Sequence, residues 1–458
     1  MPNLTKYSAA VLSTLMVVGC GSSSDDHNPA AAGGGAAPVT PTTEIRVLHA
    51  SSDAPKVNIG VNGANALEGV DYLTGSAFIE LDSASYSINV DAILPDGSTT
   101  TVIGPADFNL EADTEYSVIA VGNVADGTLE PLVLARADED FGAGNIRLQV
   151  LHAASQAPTV DIYVTAPGAD LTTSEPTLSG VPFKANSDLL EVAAGEYQIR
   201  ITAEGSKDAV FDTGTLTLEA GTDLLLAAVN NTLTGSSPVA VVAWSDEGTV
   251  TITDVNAGSE LRVVHASPDA PEVNVLANGN AILTNVPYPV ASGYLNVPAG
   301  DYNVQVEPAA APGTFVIDAD VTLDINTAYT VLAINELAEI APWVVTDDRR
   351  RIATEAGLRL LHASPSAGNV DIYVGSDNDI SDETPAFSDV PIMAETGRVP
   401  LAAGTYFVTV TPTGSQDAAI GPLELTLEAG KLYTAIARDQ AGGGTPLGVI
   451  LLDDLVAD

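Results

Sequence analysis

Four of the five histidines in this chain occupy the same position in a repeated segment. Each of them ends a short apolar run and is followed by alanine, with an asparagine or aspartate nine residues further on. The histidines are His49, His152, His265 and His362, and the residues nine positions later are Asn58, Asp161, Asn274 and Asp371. An imidazole, a hydroxyl and a carboxylate within hydrogen-bond reach can activate a serine nucleophile. The repeat therefore contains residue types that are suited to nucleophilic catalysis.

Variation among the repeats argues against that chemistry. Ser267 and Ser364 stand two residues after their histidines, but the second repeat has Ala154 there, and the first and third have Asn instead of Asp. Residues at i and i+2 of a strand share a face without necessarily contacting each other as nucleophile and base. We therefore predict that the chain is not an enzyme. We expect each imidazole to bond to the Asn or Asp, or to backbone, and so to lock the first loop of its repeat.

Metal binding has weak support in the sequence. One histidine per repeat and a single cysteine fall short of the three or four N and S ligands of a zinc site. Calcium prefers clustered carboxylates on loops, and the fourth repeat offers Asp377, Asp379, Asp382 and Glu383. Their spacing matches no EF-hand, and acidic loops are expected in so acidic a chain. Calcium stays an open alternative to a solvated loop, and the sequence implies no other cofactor.

The histidine motif recurs at intervals of about one hundred residues, which suits separate domains in tandem. We place four units at 44–138, 146–247, 259–348 and 356–454. Within each unit, short apolar segments with a period of two are rich in Val, Ile, Thr and Tyr and end at Gly, Pro, Asn or Asp, which is typical of strands. About seven short strands per hundred residues predict a sandwich. The expected fold is all-β, with four tandem immunoglobulin-like antiparallel β-sandwich domains.

The units also alternate in type. The second and fourth carry a long loop, at 165–180 and 375–389, whereas the first and third have a short hairpin with Asn-Gly at the turn. The residue nine after the histidine is Asp in the long units and Asn in the short ones. This pattern indicates a two-domain cassette that was duplicated. It favours a row of domains serving as a spacer over four independent enzymes.

The first nineteen residues have the layout of an export signal, with Lys6 followed by an apolar stretch too short to span a bilayer. Val17-Val18-Gly19-Cys20 resembles a bacterial lipobox, which implies that Cys20 carries lipid. Gly21 after that cysteine implies sorting to the outer membrane. Residues 20–43 contain the lipidated cysteine and a Ser, Gly, Ala and Pro-rich segment that predicts a flexible tether. We expect an outer-membrane lipoprotein, periplasmic or surface-exposed, that contacts the membrane through its lipid anchor.

The charge balance limits the partners. The chain has 16 Lys and Arg against 60 Asp and Glu, and such a surface repels nucleic acid and anionic lipid headgroups. Hydrophobic residues nevertheless make up 45% of the sequence, so we expect a folded protein with an acidic surface. Nucleic acid is therefore excluded as a partner.

The segment His265-Ala-Ser-Pro-Asp-Ala-Pro271, followed by Val273-Asn274-Val275, resembles a bacterial family known as domain of unknown function 4397. The first and fourth units match nearly as well, and the second departs at Ala154, Ser155 and Gln156. The resemblance covers essentially all of 44–454. It implies a β-sandwich in a cell-envelope or secreted protein, and it carries no catalytic residues.

These observations favour a non-enzymatic cell-envelope lipoprotein with a structural or adhesive role. The alternative is a module that recognises a glycan, a peptide or an envelope protein through the long loops of units 2 and 4. An extracellular polysaccharide or an envelope protein is the expected partner. For Trp244 and Trp343, near the last strands of their units, we expect a core or interdomain role. The run Arg349-Arg350-Arg351 either pairs with acidic neighbours or is open to proteases.

Overall fold

A computed structural model describes residues 40–139 and 141–456 of the chain. The expected signal peptide, Cys20 and nearly all of the tether lie outside the described residues. Within the described ranges, no helix is long and apolar enough to cross a membrane.

The described chain is built from strands, with one short 3-10 turn. Unit 1 contains β1 (Thr42–His49), β2 (Val57–Val61), β3 (Ala64–Val70), β4 (Ile79–Asp82), β5 (Ser85–Ile93), β6 (Thr99–Asn109), β7 (Thr114–Val121) and β8 (Glu130–Ala137). Unit 2 contains β9 (Asn145–His152), β10 (Val160–Thr165), β11 (Leu178–Val181), β12 (Leu190–Ala193), β13 (Gly195–Ala203), β14 (Ala209–Asp212), β15 (Leu216–Leu218), β16 (Asp223–Asn230), β17 (Val239–Ser245) and β18 (Gly248–Ile252).

Units 3 and 4 repeat the eight-strand series of unit 1. Unit 3 contains β19 (Ser259–His265), β20 (Val273–Ala277), β21 (Asn280–Val286), β22 (Leu295–Val297), β23 (Gly300–Pro308), β24 (Ile317–Leu323), β25 (Ala328–Ile334), the 3-10 turn Leu337–Glu339 and β26 (Ala341–Asp347). Unit 4 contains β27 (Ala356–His362), β28 (Val370–Gly375), β29 (Phe387–Val390), β30 (Val399–Leu401), β31 (Gly404–Pro412), β32 (Ile420–Leu427), β33 (Leu432–Arg438) and β34 (Gly448–Asp453).

Each unit is a sandwich of two sheets, so the prediction of an all-β chain of tandem domains is confirmed. In unit 1, one sheet has the order β4-β1-β7-β8 and the other β3-β2-β5-β6. We call the first the pairing sheet and the second the outer sheet, and the corresponding strands form the same two sheets in the other units. The first strand runs parallel to a late strand of the same sheet, as β1 does to β7 and β9 to β16. The structure thus has eight strands in units 1, 3 and 4 and ten in unit 2, with the first strand inside a sheet, whereas the immunoglobulin pattern has about seven.

Aliphatic side chains fill the space between the two sheets of each unit. In unit 2, for example, Ile146, Leu148, Ile162, Ile201 and Phe211 are all at most 2% exposed. The alternating burial along β5, where Ile88 and Val90 face inward, shows how a period of two turns every second side chain into this core. Apolar residues at the predicted strand positions therefore form the sandwich interior.

The pairing sheets are buried on both faces. Every residue of β16, β25 and β27 is buried, which requires a second layer outside the sandwich. In units 1 and 2, each pairing sheet is covered by the pairing sheet of the other unit. The side chains that meet there form one cluster with Leu48, Ile119, Leu225, Val242 and Trp244. A corresponding cluster with Val264, Leu332, Leu361 and Ile436 joins units 3 and 4.

This packing differs from the predicted row of separate domains. The chain forms two pairs, units 1–2 and units 3–4, because each pairing sheet has a second apolar face that only a neighbouring unit covers. Each pair corresponds to one copy of the duplicated cassette.

Candidate functional site

The repeated histidine closes the first strand of every unit, where the chain turns toward the second strand. All four rings are buried, at most 2% exposed. In each unit, Nε2 lies within hydrogen-bond distance of the backbone carbonyl six residues later: His49 to Pro55 at 3.0 Å, His152 to Pro158 at 3.0 Å, His265 to Pro271 at 3.0 Å and His362 to Gly368 at 2.8 Å. A carbonyl can only accept, so Nε2 carries the proton and donates it to the loop. The backbone bond expected for the imidazole is therefore present in all four units.

The surroundings of the ring keep it neutral. His49 packs edge-on against Tyr72, with ring centres 6.2 Å apart, and Phe183 and Tyr288 take the same place in units 2 and 3. Burial lowers the pKa of His49 to about 4, because the desolvated ring gains too little from its neighbours to hold a charge. A neutral ring with Nε2 already donating is suited to holding a loop.

The serine, histidine and Asx side chains do not assemble into a catalytic group. Ser364 donates its hydroxyl proton to Asp439 in a buried hydrogen bond, and the buried Ser267 hydroxyl has no partner among the described residues. Across the described ranges, no hydrogen bond joins any of the four imidazoles to a serine hydroxyl or to the Asx nine residues later. The ring nitrogen left to accept a proton is Nδ1, which accepts from Ala154 N and Ser364 N at 3.3 Å in units 2 and 4 and has no partner among the described residues in units 1 and 3.

The Asx residues act on the outer sheet instead. Each lies on the second strand of its unit, opposite a register shift in the third strand. There it accepts a hydrogen bond from a backbone N–H in the left-handed region. The donors are Gly69 to Asn58 at 2.9 Å, Gly180 to Asp161 at 2.7 Å, Asn285 to Asn274 at 3.0 Å and Asp389 to Asp371 at 2.8 Å. The Asx side chain therefore holds a β-bulge in place.

Asp161 of unit 2 and Asn274 of unit 3 reach the same loop by different bonds. The second carboxylate oxygen of Asp161 accepts from Gly205 N at 2.8 Å, in the loop after the fifth strand. In unit 3, the Asn274 amide donates to Glu307 at 3.0 Å, and Glu307 accepts from Gly313 N at 2.6 Å in the same loop. In unit 3, Asn274 and Glu307 together thus make the connection that Asp161 makes alone in unit 2.

The proposed calcium ligands do not gather in the structure. The carboxylates of Asp377 and Asp379 accept backbone N–H groups two residues later, at 2.9 and 3.0 Å. Asp382 is exposed, and Glu383 is half-buried. In the described part of the chain, no three His, Cys, Asp or Glu side chains are grouped to hold a metal ion. These carboxylates order the long loop of unit 4 through turns of its own backbone.

The long loops fold back over the outer sheets. In unit 2, Leu171 is 7% exposed, and Arg200 donates to Ala169 O at 2.7 Å. Lys207 donates to Ser174 O at 2.6 Å, beside the buried Tyr163. In unit 4, Gln416 holds Ile380 O at 3.2 Å. The loops cover their own sheets.

Buried ion clusters lie between paired units, and the sequence did not point to them. Between units 1 and 2, Arg147 approaches Glu115 at 3.2 Å, and Arg136 approaches Asp223 at 2.5 Å. Between units 3 and 4, Arg262 meets Asp453 at 2.7 Å and Arg359 meets Asp347 at 2.5 Å. The only available sequence signal was an arginine inside an apolar first strand. Such a residue must find a partner if its strand is buried on both faces.

The two tryptophans lie at these pair interfaces. The indole N–H of Trp244 donates to Ser76 O of unit 1 at 2.7 Å, and Arg46 of unit 1 lies 4.3 Å from the centre of the indole ring. Trp343 belongs to the cluster between units 3 and 4. Of the two roles expected for the tryptophans, core or interdomain, both have the interdomain one.

The family described as Domain of unknown function (DUF4397) matches residues 43–163, 164–257, 259–373 and 356–458. The chain belongs to this family. Its DUF4397 matches cover almost everything from residue 43 onward, so the paired sandwiches described above are a four-domain DUF4397 arrangement. The predicted resemblance is confirmed.

Among solved structures, the DUF4397 chain is similar to the Bacillus anthracis TIE protein, with 12% identity and a TM-score of 0.15. That similarity covers 88% of this chain and 69% of the other. It is also similar to a product complex of SpuA, a multi-modular glycogen-degrading pneumococcal virulence factor, with 11% identity and a TM-score of 0.14. The second similarity covers 62% of this chain and 38% of that one. None of the curated proteins matches the chain.

Proposed function

We propose that this DUF4397 protein is a non-enzymatic cell-envelope lipoprotein that presents two paired-domain modules at the outer membrane in a structural or adhesive role. The observation that carries the proposal is the use of the repeated histidine. In all four units its Nε2 is bonded to a backbone carbonyl in a buried site. The chemical group that the repeat supplies four times therefore stabilises the fold.

The packing of the pairs supports a structural role. Each pair shares one apolar cluster and one buried ion cluster across its pairing sheets. Packed sheets with paired charges hold neighbouring domains in a fixed orientation, because any sliding would leave apolar surface and charges unpaired. A lipid on Cys20 and the tether that follows would place these rigid modules at a membrane.

The long loops offer less support for recognition. Among the described residues, the large apolar side chains that are exposed lie outside 165–180 and 375–389. Cavities with apolar linings lie inside the sandwiches of units 1 and 3, among core residues such as Val57 and Val304. Ligand sites are usually open clefts with a few converging polar groups. Among the described residues, the long loops therefore have no exposed large apolar side chains, and these cavities lie in other units, which favours the display role.

The test is binding of the mature protein, from Gly21 onward, to a panel of envelope and matrix polysaccharides with and without calcium. The display proposal predicts that any binding is unchanged when Asp377 and Asp379 of the long loop are both replaced by Ala. Asp96→Ala, at an exposed turn of unit 1, is the matched control. Saturable binding that is lost in the loop variant but kept in the control would overturn the proposal in favour of recognition.

A further inference from the structure

The linker between units 3 and 4 contains three consecutive arginines, and each contacts a different unit. Arg349 pairs with Glu260 of unit 3. Arg351 pairs with Asp454 of unit 4 at 2.5 Å. The Arg350 side chain reaches unit 1 instead. The middle arginine therefore connects the second pair of domains to the first.

The guanidinium of Arg350 is held on all its donor edges. Nε donates to Ser52 O at 2.9 Å, Nη1 to the Asp71 carboxylate at 2.5 Å and Nη2 to Ala54 O. Its central carbon lies 5.0 Å from the centre of the Tyr72 ring. The Arg350 side chain is only 13% exposed. Two carbonyls, a carboxylate and an aromatic face match the planar fork of a guanidinium and would fit an ammonium poorly.

Both sides of this contact are fixed by their own units. The unit 1 loop is held by Asp53, whose carboxylate accepts from Val124 N and Ala125 N at 2.8 and 2.9 Å. The linker is tied to unit 4 where Gly430 N donates to Glu355 O at 2.8 Å. One backbone bond, from Ala353 N to Asp53 O at 2.8 Å, joins the two sides beside the guanidinium. The unit 1 loop and the linker are thus each held by hydrogen bonds to their own units.

The site occurs in one unit alone. Where unit 1 has Asp71, the other units have proline: Pro182, Pro287 and Pro391. Proline supplies no carboxylate for a guanidinium. Burial raises the pKa of Asp71, but the hydrogen bond and positive charge of Arg350 lower it more, so the pKa lies below its usual value. The acidic residue at this position occurs only in unit 1, and the arginine run that binds it occurs only in the linker between units 3 and 4.

We propose that unit 1 carries a guanidinium-binding site whose occupant is Arg350 of the chain's own linker, and that this captured arginine fastens the unit 3–4 pair to the unit 1–2 pair. Mutual repulsion of two acidic modules opposes their approach. A partly buried, charge-assisted contact is screened less by salt than an exposed one, so it can hold the modules together.

The first test is tryptic cleavage of the mature chain carrying Asp71→Asn. This variant leaves every arginine in place, so cleavage at 349–351 reports release of the linker. We expect cleavage there to become about tenfold faster or more, because opening of the site no longer breaks a charged bond. Lys56→Ala is the matched control, since Lys56 also lies near Asp71, at 3.9 Å, but is 61% exposed. The control should leave linker cleavage unchanged, and cleavage at Arg46 or Arg136 identifies any variant in which unit 1 unfolds.

The second test measures the distance between the pairs. The chain has one cysteine, Cys20, so Asp107→Cys in unit 1 and Glu272→Cys in unit 3 can be spin-labelled selectively in the mature protein. Arg350→Lys should broaden the distance distribution, because an ammonium cannot reach both carbonyls and the carboxylate at once. Arg351→Ala should leave it unchanged. Identical distributions in Arg350→Lys and the parent, or equal linker cleavage in Asp71→Asn and the parent, would overturn the proposal.

Discussion

At the scale of single residues, the role of the repeated histidine depends on one backbone carbonyl. The carbonyl six residues later takes the Nε2 proton, and burial keeps the ring neutral. The sequence shows an imidazole near serine and Asx but cannot show which of its neighbours it contacts. Asn58 and the other Asx residues point to the outer sheet and hold a bulge there. Residue types that suggest catalysis thus serve two separate loops.

Lowering the pH should destabilise unit 1 through His49. Its folded pKa of about 4 lies below the value of about 6.5 for an exposed histidine. Between about pH 6.5 and pH 4, the His49 ring is therefore protonated in the unfolded chain but neutral in the folded chain. The free energy of unfolding should fall between about pH 6.5 and pH 4, by up to about 3 kcal/mol from this ring.

The measurement is the melting temperature of the mature chain across that pH range, compared with His49→Gln. Glutamine keeps a donor for Pro55 O but does not titrate. The other four histidines remain in both proteins, so the difference between the two curves isolates His49. If the melting temperatures of the two proteins fell in parallel with pH, the loss of stability could not be assigned to the titration of His49.

At the scale of elements, two-sided burial of the pairing sheet decides the architecture. β16 and β17 are nearly continuous apolar runs, a composition typical of strands covered on both faces. The sequence could indicate that a second layer exists. It could not say that the layer is the neighbouring unit, because a sheet, a helix or another chain would cover the same apolar face. An isolated unit 3 would expose Val264 and Leu332, so its stability has to be measured in the full chain.

Replacing Trp244 with Ala should destabilise units 1 and 2 together. The indole is fully buried in the cluster that the two units share, and its N–H bonds to Ser76 O of unit 1. Removing a buried tryptophan costs about 3–5 kcal/mol. In calorimetry of the mature chain, the transition of the unit 1–2 pair should move to lower temperature while that of the unit 3–4 pair stays. Val250→Ala, at a side chain 48% exposed on β18, is the control; a comparable shift there would argue against the shared cluster as the cause.

At the scale of the whole molecule, the arrangement of the domains depends both on the net charge and on the contacts between units. The formal net charge of -44 opposes the approach of separate chains through repulsion, while apolar clusters and ion pairs hold the domains of one chain in pairs. Single arginines matter in such a chain because few cations are available for so many carboxylates. Arg350 shows this, since it links unit 1 to the second pair.

Membrane attachment should depend on Cys20. Replacing it with Ser removes the sulfur that would carry the lipid. After cell fractionation, Cys20→Ser should leave the membrane fraction, whereas Ser22→Ala in the tether should remain there. Continued membrane retention of Cys20→Ser would reject the lipoprotein assignment.

The sequence by itself determined the all-β class, the four tandem units and their alternation in pairs of two types. These follow from local patterns: a period of two, turn residues at fixed positions and a motif repeated along the chain. It also singled out His265 and its three counterparts as structural residues. Local patterns carry this information because each strand and turn is specified by residues close in the chain.

Only the tertiary structure decided what those elements contact. The pairing of units 1 with 2 and 3 with 4, the ion clusters around Arg147 and Arg262, and the capture of Arg350 all join residues far apart in sequence. From the sequence, an apolar face or a buried charge can be expected to need a partner, but the sequence does not identify which residues supply it. The partner is fixed by how the folded sheets fit together, because packing and charge pairing are satisfied only when whole units meet.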